Sequence, residues 1–311
     1  MNMLGKLYSN IESLTCYIKA FSNWEEVILF RLGYTNNIIL KFRNGFELKL
    51  GSNQKGVLQC ILHLVSDHGI NFTDQKSSKL TDWIIDKHNN IVIVPQGIKF
   101  ILDSFTDATI FSETFLYDIH FVDFDLTGKT IIEAGAFVGD TALYYASKGA
   151  KVYSFEPDVN TYNLAKKNIR LNKNLAKNIT ITNAAIGKDR IINFPLNLGG
   201  VASQYVENAK KYIKIESLSI KSIVNKFNIK NPYLLHLDIK GNEFLVIDDV
   251  YIKDFDRVRI EYSTKINGKK LGDLNYILLK LRGYGFNNIR VFKHNYGPYS
   301  LNEHGTIEAR K

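Results

Sequence analysis

Apolar and polar positions change their rhythm partway along the chain. In NIESLTCYIKAFSNWEEVILFRL (10–32) apolar residues recur every three to four positions, the spacing of an amphipathic helix. NIILKFRNGFELKL (37–50) reads as two strands around an Asn44-Gly45 hairpin turn. VLQCILHLVSD (57–67) is again helical. NIVIVPQGIKFIL (90–102) predicts a second hairpin turning at Pro95-Gln96-Gly97, and DATIFSETFLYDIHF (107–121) a further helix. From Thr127-Gly128 onward short apolar runs alternate with helical stretches. Strands are expected over Thr130 to Ala134, Lys151 to Phe155, Ile179 to Asn183, Tyr233 to Asp238, Arg257 to Tyr262, Arg290 to His294 and Thr306 to Ala309. Helices are expected over Thr141 to Ser147, Val159 to Asn172, Ser219 to Phe227, Asn242 to Asp248 and Leu271 to Leu281.

This alternation predicts an α/β fold, a mostly parallel Rossmann-like sheet covered by helices on both faces, over residues 127–311. Residues 1–126 form an α+β extension that carries no chemical signature. In a parallel sheet ligands bind beyond the carboxyl ends of the strands, so chemistry is sought just after each one.

Two such strand ends carry an acid. The first is Glu133-Ala-Gly-Ala-Phe-Val-Gly139, and the second is Phe155-Glu156-Pro157, where Glu156 lies 23 residues after Glu133. A dinucleotide site needs a glycine two residues after the first, so that backbone can touch a pyrophosphate. Phe137 stands at that position and would obstruct the approach. An adenosine cofactor without phosphates has no such demand, and S-adenosylmethionine is the candidate. Gly135 and Gly139 would let backbone pass close to its methionine part, and Glu133 could attract its ammonium group. Glu156 ends its strand where a carboxylate can accept both ribose hydroxyls. Pro157 fixes the exit from the strand and Asp158 suits the N-cap of the next helix. Acids at strand ends also occur for structural reasons, and Gly-x-x-x-Gly alone is weak.

Charge and cysteine content add little. The 311 residues carry a net charge of +9, which suits an anionic partner, but the lysines are scattered in short pairs such as Lys166-Lys167, Lys210-Lys211 and Lys269-Lys270. Cys16 and Cys60 are far apart and supply neither a disulfide framework nor a zinc site. No run of residues is apolar enough for a membrane span, and MNMLGKLYSNIESLTCY lacks the apolar core of a signal peptide, so the expected location is the cytoplasm. No His, Asp and Glu cluster has metal-ligand spacing, and no metal is expected.

IIEAGAFVGDTALYYASKGAKVYSFEPD (131–158), followed in order by NAAIGKD (183–189), IKIESLSIKSIV (213–224) and LLHLDIKGNEFLVI (234–247), resembles the FkbM family of class I S-adenosylmethionine-dependent methyltransferases. The resemblance covers about residues 105–310. It implies O-methylation of a hydroxyl on a sugar, glycan precursor or natural product. It also implies cofactor contacts from Glu133, Gly135, Ala136, Phe137, Gly139, Asp140, Glu156 and Pro157, with Asn183 or Ala184 near the adenine and Asp238 beside the transferred methyl. The chain departs from the family at Glu133 (usually Asp), Phe137 (usually Asn), His236 (often Lys) and Lys240 (often Glu).

For the proton of the acceptor hydroxyl, Asp238, Glu243, His236 and Glu261 are the candidate bases, with Asp238 best placed. Each has a structural alternative. Asp238 could pair with Arg257 or Arg259, Glu243 could cap a helix, and Glu261 could balance Lys265. His236, one layer deeper in its strand, reads as a buried, hydrogen-bonded histidine. A phosphate-bearing acceptor is compatible with the sequence, and residues 1–126 are expected to supply acceptor or oligomer contacts. A nucleic-acid methyltransferase, prompted by the charge and by Asn231-Pro232-Tyr233, is a rival, but those residues precede their strand instead of following it. A cofactor-binding protein without turnover, acting in a glycan-assembly complex, is the other.

Overall fold

The computed structural model describes residues 14–43, 45, 47–52, 58, 61–62, 84–86, 88–94, 96–104, 108–115, 120, 123, 125–195, 211–266, 269–293 and 303–311. Asn44, Cys60, Pro95, Lys210 and most of the helix expected over 57–67 lie outside them. The chain divides into two compact units, Met1–Val122 and Asp123–Lys311.

In the first unit the helical stretch is broken. Helix covers 14–20 and Trp24–Leu32, and between them Phe21 bridges to Phe42 in strand fashion with ring centroids 5.0 Å apart. The expected hairpin joins Asn37–Lys41 to Glu47–Gly51, antiparallel, with Gly45 at φ 85° in the turn. Buried residues alternate with exposed ones along Asn37–Lys41, as in a strand covered on one face. Ile91–Ile93 and Lys99–Ile101 form the second hairpin, and Ile84–Asp86 adds a third strand. Ala108–Phe115 is helical.

The second unit is built on one seven-stranded sheet. Its elements are β1 (Thr130–Ala134), α1 (Asp140–Ser147), β2 (Lys151–Phe155), α2 (Val159–Leu171), β3 (Ile179–Thr182), α3 (Ile220–Lys226), β4 (Pro232–Leu237), β5 (Arg257–Ser263), α4 (Leu274–Gly283), β6 (Asn288–Lys293) and β7 (His304–Arg310). The strand order is β6-β7-β5-β4-β1-β2-β3, with only β7 antiparallel to its neighbours. This is the sheet of a class I methyltransferase. The order reverses between β1 and β4, so the crevice for a ligand opens above those two strand tips.

β4 is buried along its whole length, and β5 and β7 nearly so, as expected of strands covered on both faces. One face is apolar: Ile132, Ala134, Tyr153, Phe155, Leu235, Leu237, Val258 and Ile260 pack with Ile223 of α3 and with Ile277 and Leu281 of α4. The alternate residues make the other face, and there a polar row crosses five strands. Ser154, Glu133, His236, Arg259 and Glu308 stand beside one another in register.

A smaller sheet was not foreseen from the sequence: Arg190–Pro195 pairs antiparallel with Tyr212–Leu218, which also pairs parallel with Ala185–Ile186. The helix expected over Asn242 to Asp248 is reduced to Glu243–Val246. No helix among the described residues is long and apolar enough to cross a membrane.

Candidate active site

The end of β1 is held by backbone. Gly135 and Ala136 both donate their N–H to the Phe155 carbonyl, at 2.9 and 3.1 Å, and Asp238 donates its N–H to the Ala134 carbonyl at 3.0 Å. Gly135 has φ 88°, and a Cβ there would lie 2.1 Å from the Asp238 carbonyl oxygen. The missing side chain is therefore what lets the loops after β1 and β4 meet. Phe137 adopts φ 45°, a left-handed conformation that costs a residue with a side chain about 1–3 kcal/mol. It is held there because its N–H donates to Glu156 Oε2 at 2.9 Å. Gly139 (φ 82°) then leads into α1, and Asn168 of α2 donates to the Val138 carbonyl at 2.8 Å.

Glu156 is the hub of this corner. Its second oxygen accepts from the Asp158 N–H at 2.9 Å, while Asp158 caps α2 by accepting from the N–H groups of Asn160 and Thr161. Asn183 donates its side-chain amide to the carbonyls of Glu156 and Pro157, at 2.8 and 3.0 Å. Ala184 is fully buried. Burial pushes the Glu156 carboxyl up to about 8, against the pull of the two backbone N–H groups. Each carboxylate oxygen has two lone pairs, so both can still accept a ligand hydroxyl.

Glu133 lies deeper and is wholly buried. Ser154 donates its hydroxyl to Oε2, whereas Oε1 accepts no hydrogen bond, the nearest cationic candidate being His236 Nδ1 at 4.0 Å. Burial, with the carboxylates of Asp140, Asp238 and Glu156 nearby, raises Glu133 to about 8. Burial, reinforced by Arg259, lowers His236 to about 3, so at pH 7 the imidazole is neutral and the two do not form an ion pair. His236 meets the Tyr145 hydroxyl at 3.3 Å and is the buried, hydrogen-bonded histidine the sequence suggests.

Side-chain ion pairs hold the tips of β4, β5 and β7. Lys240 Nζ lies 2.8 Å from Asp238 Oδ1 and 2.7 Å from Glu261 Oε1. His304 Nε2 approaches the same Glu261 oxygen at 3.1 Å, and its Nδ1 meets Ser263 Oγ at 2.9 Å. Glu243, fully buried, accepts the Gly241 N–H on Oε2 at 2.7 Å and leaves Oε1 without a hydrogen bond. Burial, together with the charge of Asp238, raises its carboxyl to about 8.

Two sequence alternatives fall here. Asp238 pairs with Lys240, not with Arg257 or Arg259, which instead face Glu308 at 3.7 and 3.6 Å. Glu261 pairs with Lys240 and His304, while Lys265 turns to Glu303 at 3.4 Å. Lys240, Ser263 and His304 escaped sequence reading as site residues. Ser263 and His304 are 41 positions apart and meet only because β5 and β7 run antiparallel with these two in register. Among the described residues no group of three or more His, Cys, Asp or Glu could hold a metal ion.

The sequence of this region, from Glu133 to Asn287, matches the methyltransferase FkbM domain. The second unit carries an FkbM methyltransferase domain. No curated protein matches the chain in sequence. Among solved structures it is similar to the human methyltransferase 10 domain containing protein, with 13% identity, TM-score 0.39, and coverage of 83% of this chain and 96% of that one. It is also similar to a precorrin-6y C5,15-methyltransferase from Geobacter metallireducens GS-15, with 12% identity, TM-score 0.35, and coverage of 66% and 90%. The strand order, not these low similarities, identifies the fold.

The FkbM domain uses S-adenosylmethionine, whose sulfonium supplies an electrophilic methyl group. The strand tips suit such a cation. Glu133, Asp140, Glu156, Asp238 and Glu243 converge there, and Glu133 and Glu243 each keep an unbonded oxygen. With several carboxyls this close, burial keeps some protonated until a positive ligand arrives.

Proposed function

We propose that this methyltransferase transfers its methyl group to a hydroxyl of a sugar or glycan precursor, with Asp238 as the base. In this reading Glu133, Gly135, Ala136, Phe137, Gly139 and Asp140 line the methionine side of the cofactor, Glu156 and Pro157 its ribose, and Asn183 and Ala184 its adenine. Glu243 and Glu261 flank the acceptor.

The observation that carries the reading is the position and state of Asp238. It follows β4 at the point where the sheet order reverses, its backbone touches Gly135, and its side chain is about one-third exposed. Burial and the charge of Glu261 raise its carboxyl above the usual range, which brings it closer to the working pH of a general base. An O–H acceptor needs such a base, and the FkbM resemblance points to sugars and natural products. A nucleic-acid acceptor has the net charge of +9 in its favour. Against it, Tyr233 is a buried β4 residue whose hydroxyl bonds Asp123 and Arg257, so it cannot stack on an extruded base.

Calorimetry with S-adenosylmethionine, followed by transfer of labelled methyl to sugar nucleotides, lipid-linked glycans and RNA, tests the proposal. Label on a sugar oxygen, abolished in Asp238→Asn, is expected. Label on RNA, or on any nitrogen, would overturn it.

A further inference from the structure

We propose that Lys240 is the positioning residue of the acceptor site: it locks Asp238 and Glu261 into one ion-paired unit and offers its remaining N–H to the acceptor oxygen. The inference rests on the methyl-transfer reading above.

An ammonium carries three N–H groups: one donates to Glu261 Oε1 at 2.7 Å, while Asp238 Oδ1, 2.8 Å away, is an ion-pair partner without hydrogen-bond alignment. Donor capacity is therefore left for a ligand, and about a fifth of the Lys240 side chain is open. Backbone fixes its root. Lys240 (φ 48°) and Gly241 (φ 98°) are consecutive left-handed residues that turn the chain sharply after β4. The far end is fixed too, because the Glu261 oxygen that meets Lys240 is also held by His304, and His304 by Ser263. Glu261 therefore cannot swing away and leave Lys240 to Asp238 alone.

The charges then distinguish the two carboxylates. Asp238, Lys240 and Glu261 sum to −1, so a proton arriving on Asp238 leaves a balanced Lys240–Glu261 pair. A proton on Glu261 would instead disrupt its contacts with both Lys240 and His304. Burial resists ionisation at both acids, but Lys240 and His304 hold the Glu261 carboxyl well below the carboxylate range, whereas Asp238 stays above it. Two neighbouring acids pushed apart in this way take different roles. The acceptor oxygen gains the methyl group and releases its proton to Asp238, the carbon–sulfur bonding pair stays on sulfur, and Lys240 keeps its proton throughout.

Asp238 also feels the charges of Glu133, Glu156, Glu243 and His304, so the test reads Asp238 itself. Aspartate carboxyl carbons are labelled with carbon-13 in the full chain saturated with S-adenosylhomocysteine, Asp238→Asn identifies the resonance, and its titration midpoint is followed. Lys240→Met should raise the midpoint by about one to three pH units, since an opposite charge at this distance lowers a carboxyl by that much. Lys240→Arg should restore it. Lys240→Gln, close in length and polar but uncharged, should behave as Lys240→Met and serves if that variant does not fold. With the acceptor found in the labelling panel, the acid limb of kcat should move in parallel. An unchanged midpoint in the uncharged variants overturns the role of Lys240. Failure of the wild-type chain to bind S-adenosylhomocysteine would instead overturn the methyl-transfer reading, whatever Lys240 does.

Discussion

The two flanks of the strand-tip crevice are built from different materials. On the β1–β2 flank, main-chain groups do the holding: N–H groups of Phe137 and Asp158 on Glu156, and a glycine whose missing side chain admits a neighbouring carbonyl. Among the described residues Glu133 and Glu156 have no lysine or arginine bonded to them, and burial pushes both up to about 8. On the β4–β5–β7 flank, Lys240 and His304 tie Asp238 and Glu261 into a charged chain. On the proposed reading, the wall short of cations faces the positively charged cofactor, and the other wall supplies a carboxylate of controlled charge to the acceptor.

The sharpest way to break this contrast is to attack the backbone wall at its narrowest point. Gly135→Val adds atoms where a carbonyl already stands, at a φ that side chains resist, so the loops after β1 and β4 must separate. S-adenosylmethionine binding should fall below detection by calorimetry, with a lowered melting temperature. Retained binding would mean that the loops do not need to touch.

The next effect is electrostatic. Glu133 ionises near 4.5 when unfolded but is raised to about 8 in the fold, so its contribution to stability is complete below about 4.5 and is lost as pH rises through about 8. Glu133→Gln should flatten the fall of stability over this window by up to about 1.4 kcal/mol per pH unit. Urea unfolding at several pH values checks it. Parallel curves for variant and wild type would show Glu133 charged in the fold, and the two flanks would then be alike. Smaller again, Glu156→Ala removes charge-assisted bonds of about 1.5–3 kcal/mol and should weaken cofactor binding roughly ten- to a hundredfold. Calorimetry would measure this, and unaltered affinity would remove Glu156 from the ribose site.

The same contrast explains what could be read from the sequence. Backbone work leaves local traces: Gly135 and Gly139 four residues apart, an acid at each strand end, and Asp158 ahead of its helix are all visible in one short stretch. The seven strands of the large sheet were legible because each is a short segment of continuous or alternating apolar residues. Side-chain pairing leaves no such trace. That Lys240 would reach Glu261, or Ser263 face His304, depends on register between strands whose order no local pattern states. Arg190–Pro195 and Tyr212–Leu218 escaped because they form a small separate sheet, with Ile191 and Tyr212 exposed and Lys214 and Glu216 breaking the apolar run. Phe21 interrupts a helical period because a tertiary partner, Phe42, overrides it.

The close approach of the Asp238 carbonyl to Gly135, which leaves no room for a Cβ, also acts on the history of such a protein. Residues 240, 261 and 304 meet through side chains and can be exchanged in sets, so on the proposed reading the preference for an acceptor is open to drift. The path of the main chain at 238 has no such latitude. Any descendant that reroutes it must alter the first loop in the same step, and a new acceptor is therefore reached more readily by repainting this pocket than by rebuilding it.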